Sequence, residues 1–210
     1  MSSKRKTPVA DLIDPQLKEK CIGMIPIFAQ KAVELEKCRL QYNHIVEPDS
    51  AELSRILDIT RETLDHPENK HCPTNPEIDR IDQFVQGHLL DFINNMSSFL
   101  VWFTLQKPAI SEKQSLAAEV IETIASVVGQ LETSASAGLS KFSMYHSTRA
   151  QLLTKYYQFP HFEDLRNAII SVDAQAVTTS IHTIADLRNF YLFVHDLVGK
   201  NFDKMNASHE

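Results

Sequence analysis

The chain has 210 residues, 43% of them hydrophobic and 23% charged, which suits one ordinary globular domain or two small ones and excludes a disordered chain. Its net charge of −6 repels phosphate and argues against a general nucleic-acid binder. With only 5 glycines and few alternating β-branched runs, the composition reads as all-α.

Residues 1–14, MSSKRKTPVADLID, are expected to form a flexible N-terminal tail without the apolar core of a secretory signal. No window reaches the roughly 18 apolar residues of a membrane span, so a soluble, intracellular chain with no membrane partner is expected. Lys4-Arg5-Lys6 reads first as a solvated run and second as a short nuclear import signal.

A first helix is predicted over 15–46, with Leu17, Cys21, Met24, Phe28, Ala32 and Leu35 on its apolar side and bends at Gly23 and Pro26. The linker over 48–76 is loop-like, although SAELSRILDITRETLDH inside it can form a short helix capped by Ser50. Asn75-Pro76 opens the clearest helix. Ile78, Ile81, Val85, Leu89, Phe92, Met96, Phe99 and Phe103 recur at steps of three and four until Pro108 stops the pattern. After a loop over 106–115, the period resumes from Leu116 through Val120, Ile124, Val127, Leu131, Leu139, Phe142, Leu152 and Tyr156, ending before Pro160. The last helix starts near Phe162 or Ala174, with Ser171-Val172-Asp173 as a kink or interruption, and ends at Met205. Its stripe is Val177, Ile181, Ile184, Leu187, Tyr191, Val194, Val198 and Phe202.

Helices joined in sequence favour antiparallel neighbours, so residues 15–205 read as an elongated up-down-up-down four-helix bundle. Parity then sets the 106–115 loop beside both termini. The small-residue run SVVGQLETSASAGLSKFSMYHS in the third long helix suits close packing within one bundle, or else between subunits of an assembly.

No catalytic constellation emerges, and no cofactor is expected. No Glu stands three residues before a His, as a di-iron bundle requires, and there is no Walker loop or GxSxG. His195-Asp196 alone reads as a surface or packing pair rather than a metal dyad. His66, His71 and Cys72 lack a fourth ligand at standard spacing and read as solvated. Cys21, Cys38 and Cys72 read as reduced thiols. Trp102, Phe103, Tyr156, Tyr157, Phe190 and Tyr191 sit at helical spacing and read as core or interface.

The C-terminal half carries a family pattern. YHSTRAQLLTKYYQFPHFEDLRNAIISVD and IADLRNFYLFVHDLVGKNFDKM hold Thr148-Arg149-Ala150, Pro160-His161 with Glu163-Asp164, Leu187-Arg188-Asn189, His195-Asp196 and Lys200-Asn201-Phe202. With NPEIDRIDQFVQ and WFTLQKPAI upstream, residues 76–205 resemble the 11S proteasome-activator family, especially its gamma type. The resemblance implies a non-enzymatic four-helix subunit that forms a homoheptameric ring on the alpha ring of the 20S proteasome. It implies a nuclear and cytoplasmic location, with tails entering pockets between alpha subunits and the loop pressing on the gate. By position, Ser111, Glu112, Lys113, Gln114 and Ser115 would contact the gate, and Ala207, Ser208, His209 and Glu210 would enter the pocket. The loop lacks the family's Gly-Asn-Asn, and the tail is shorter and more polar than the family's. A ring-forming adaptor that has lost gate opening is therefore the alternative expectation.

Overall fold

The computed structural model describes residues 8–66, 73–106 and 116–206. Among them every regular element is helical: α1 (Pro8–Tyr42), a 3-10 turn (Asn43–Ile45), α2 (Ala51–Leu64), α3 (Pro76–Gln106), α4 (Leu116–Gln158) and α5 (Glu163–Asn206). No helix among the described residues is long and apolar enough to cross a membrane.

The first helix begins at Pro8, so residues 8–14 belong to α1 rather than to the expected tail, and it ends at Tyr42 instead of 46. It is continuous through Pro15 and Pro26. Each proline removes one N–H donor, but the flanking turns hold because Cys21, Met24, Phe28, Ala32 and Leu35 are all buried on one side. Leu17, expected with them, is only half-buried. The short helix capped by Ser50 is present as α2, and the Ser50 hydroxyl accepts from the Leu53 amide at 3.2 Å. Asp49 before it takes φ 59°, a left-handed turn that a short polar side chain tolerates.

The chain forms two compact units. One draws on residues 1–33, 91–135 and 188–210. Its core is aromatic: Phe28 lies 5.4 Å from Phe99 and 5.6 Å from Tyr191, the Tyr191 ring meets Phe92 edge-on at 5.0 Å, and Trp102 stacks on Phe103 at 5.3 Å. Lys20 donates to Ser98 and Lys31 pairs with Asp91, so α1 runs antiparallel to α3. Ser97 donates to Glu132, and Leu100 lies against Gly129, which makes α4 antiparallel to α3 as well.

The other unit draws on 34–90 and 136–187. Here Leu64, Tyr156 and Ile169 form a small apolar cluster, and the Tyr156 hydroxyl donates to the Leu64 carbonyl at 2.8 Å, which closes the end of α2. Half-buried Arg166 pairs with exposed Asp65 at 2.8 Å nearby.

The α3 stripe read from the sequence is buried at every position. The α5 stripe is buried except at half-buried Phe202. On α4 the core stripe differs. Ile121, Ile124, Val128, Ala135, Phe142, Tyr145 and Tyr156 are buried, whereas Val120, Val127, Leu131, Leu139 and Leu152 are only half-buried. The helix carries two apolar stripes one position, or about 100°, apart, and periodicity alone cannot say which faces the core.

Candidate functional site

The expected contact residues Ser111, Glu112, Lys113, Gln114 and Ser115, and Ala207, Ser208, His209 and Glu210, all lie outside the described residues. What the structure gives is the helix ends that flank them. Phe92 on α3 and Tyr191 on α5 are level, and each helix continues about 20 Å further, to Gln106 and Asn206. Because α4 is antiparallel to α3, its first residue, Leu116, leaves the unit in the same direction. Near these ends Val101 is 51% and Phe193 51% exposed, and Lys200 pairs with Asp196 at 2.7 Å on the surface. Asp196 is therefore exposed and committed to Lys200, with His195 half-buried beside it.

The second unit holds a buried polar hub that the sequence reading did not assemble. Asp173 is fully buried on α5, and its Oδ1 accepts from the Tyr145 hydroxyl at 3.0 Å and from Arg149 Nε at 2.9 Å. Its Oδ2 accepts from the Thr60 hydroxyl at 2.7 Å. The Asn75 amide donates in turn to Thr60 at 3.1 Å and to the Ile56 carbonyl at 2.8 Å, while its own Oδ1 accepts from the Glu77 amide at 3.1 Å, capping α3. The hub thus ties α2, α3, α4 and α5 together. Burial, with the Asp173 charge beside it, pushes the Tyr145 phenol well above its ordinary range. Asp173 does not interrupt its helix, as had been expected from Ser171-Val172-Asp173: α5 is continuous from Glu163. Asp is a poor helix former because its carboxylate competes for backbone donors, and here three side-chain donors occupy it instead.

A second buried carboxylate lies on α3. Asp82 is 2% exposed, and its Oδ1 accepts from the Ser180 hydroxyl of α5 at 2.6 Å. Its Oδ2 is buried without a hydrogen-bond partner. Burial raises its pKa to about 6, opposed by the Ser180 hydrogen bond and by His146. Asp82 reaches an open-sided cavity of about 190 Å³ between α4 and α5, lined among others by Met144, Tyr145, Gln175 and Thr179. The signal for both carboxylates was present in the sequence. Each occupies a core position of an amphipathic stripe, Ile78-Asp82-Val85 and Ile169-Asp173-Val177, where an apolar residue is the rule.

Comparison with known proteins places this helical architecture in a class. The structure is similar to the crystal structure of the 11S subunit of the Plasmodium falciparum proteasome, PA28, with a TM-score of 0.62 at 20% identity, covering 91% of this chain and 95% of that one. The family model for proteasome activator PA28, C-terminal, matches residues 71–209. The chain belongs to that PA28, or 11S, family of proteasome activators. Its curated relatives include the proteasome activator complex subunit 3 proteins of Homo sapiens and Gallus gallus, each 26% identical over 137 residues. That alignment takes in 65% of this chain and 54% of theirs, so the chain spans about half the length of the curated relatives it matches.

Proposed function

We propose that the chain is a non-enzymatic proteasome activator subunit, which assembles as a homoheptameric ring on the alpha ring of the 20S proteasome. There it opens the gate and stimulates ubiquitin-independent hydrolysis of peptides, in the nucleus and cytoplasm. The observation that carries this reading is the family match over 71–209, a range that takes in α3, the segment 107–115, α4, α5 and most of the tail. Two features of the structure support it. The helix ends flanking the proposed gate segment, Gln106 of α3 and Leu116 of α4, lead out of one unit in the same direction. The second apolar stripe of α4 stays half-buried in the single chain, where a neighbouring subunit would cover it.

In this reading residues 111–115 press on the gate and 207–210 bind the pocket. The protein works by differential affinity, binding the open gate more tightly than the closed one and so shifting its population. The test is hydrolysis of short fluorogenic peptides by latent 20S proteasome, titrated with the purified chain at low salt. A saturable rise is expected. A flat response from a chain that native mass spectrometry shows as an intact ring would replace this reading with the adaptor one, and a monomer would remove both.

A further inference from the structure

We propose that the turn joining α4 to α5 docks an arginine-bearing segment of another protein, with the Phe159 and Phe162 rings taking its guanidinium faces and Glu163 and Asp164 its charge. The proposal is independent of gate opening. It starts from an anomaly of local sequence. Phe162 immediately precedes α5, the capping position where a Ser, Thr, Asp or Asn oxygen would accept from a free helix amide and a phenyl ring cannot. It is also 60% exposed, and Phe159 across the turn is 54% exposed. The two rings meet edge to face with centroids 6.1 Å apart.

Neither ring is needed to shape the turn. Backbone bonds close it, from the Phe159 amide to the Lys155 carbonyl at 2.9 Å and from the Phe162 amide to the Phe159 carbonyl at 3.2 Å. Among the described residues the apolar cluster of Leu64, Tyr156 and Ile169 takes in neither phenylalanine. Two large apolar side chains therefore stay in water where neither core nor cap calls for them, and a partner is what would cover them.

Charge selects that partner. The turn joins the negative end of the α4 dipole to the positive end of the α5 dipole, each about half a charge, so the two offset each other. The sign is then set by side chains. Glu163 and Asp164, both exposed, stand in the first turn of α5 directly after Phe162, and exposed Lys155 in the last turn of α4 opposes them. Arg166 is already paired with Asp65. An excess of carboxylate beside two exposed rings repels phosphate and acidic peptides and suits a cation with a flat face. Arginine fits better than lysine, because its planar guanidinium stacks on a ring while its N–H fork stays free for a carboxylate. A single small cation would hold poorly on so exposed a surface, so the fitting occupant is a peptide that carries several.

The probe is a fluorescein-labelled peptide of alternating arginine and glycine, with citrulline in place of arginine as a neutral control of the same shape. Binding to the full chain is read by fluorescence anisotropy at low salt. Expected is saturable binding of the arginine peptide, with the citrulline peptide about tenfold or more weaker. Each exposed ring accounts for about threefold, so Phe159→Ala combined with Phe162→Ser should weaken binding about tenfold. Glu163→Gln combined with Asp164→Asn should weaken it and flatten its salt dependence, and Lys155→Met should tighten it. Phe162→Ser alone separates docking from a structural role. It supplies the missing cap, so its melting temperature should be equal or higher while binding falls about threefold. A lower melting temperature in that variant would make the ring a structural prop and overturn the proposal. So would the absence of saturable binding, equal binding of the citrulline peptide, or indifference to loss of both rings. Binding seen only in the dissociated chain would overturn it as well, by showing that a second copy covers the rings in the assembly.

Discussion

Replacing Arg149 with Met is the sharpest probe of what holds the second unit together. The Arg149 side chain is 5% exposed and that of Asp173 0%, with Nε and Oδ1 at 2.9 Å, so the variant leaves a carboxylate buried without its counter-charge. Breaking such a pair costs about 3–5 kcal/mol, and the donors that remain, Tyr145 and Thr60, hold the loss to the lower end, about 3 kcal/mol. For a chain of this size about 2–4 °C of melting temperature goes with each kcal/mol, which predicts a fall of about 6–12 °C. Tyr145→Phe removes one hydrogen bond but leaves the charges paired, and should cost only about 1 kcal/mol. The assay is thermal unfolding by circular dichroism, with both variants and wild type at one protomer concentration because association shifts the melting point. If Arg149→Met melts no lower than Tyr145→Phe, the hub is not the electrostatic tie described.

The Asp82 carboxyl has a folded pKa near 6, above its unfolded value, so the folded chain holds that proton more tightly and loses the resulting stability as pH rises from the usual carboxylate range through about 6. Asp82→Asn should therefore raise stability by about 1–2 kcal/mol near pH 8 and by much less near pH 4 in urea unfolding; equal gains at both would contradict this. Ser50→Ala should cost about 1 kcal/mol by removing the cap on α2, again by urea unfolding. Gly138→Ala should be neutral or stabilising by up to about 1 kcal/mol, because the added Cβ would sit 3.5 Å from Leu89 Cδ2, an ordinary contact, within a helix that favours alanine; a lower melting temperature would refute it. Burial pushes the Cys21 thiol up to about 11, so in a Cys72→Ser background a thiol reagent should label half-buried Cys38 well before Cys21, and equal rates would refute it.

The helices were legible because α3 and α5 each carry one apolar stripe that admits one buried face. On α4 two stripes compete, and only packing against Leu89 and Leu100 of α3 decides between them. The small-residue run divides accordingly. Ala135 and Gly138 face the core while Ser136, Ala137 and Ser140 are exposed, and Gly138 has room for a methyl group, so close backbone approach is not what requires it. The two buried carboxylates were visible only as charges at stripe positions. Their partners, Thr60 at 113 residues from Asp173 and Ser180 at 98 from Asp82, depend on which helices meet, which local pattern does not encode. The family was legible from an ordered series of short motifs, one of which, Thr148-Arg149-Ala150, contains the buried arginine of the hub.

Peptide hydrolysis by latent 20S proteasome, measured in parallel with the full chain and with a chain ending at Asn206, tests the account most directly. The account predicts saturable stimulation by the full chain that is lost in the truncated one while its ring persists. No stimulation by an intact full-length ring, or undiminished stimulation without residues 207–210, would contradict it.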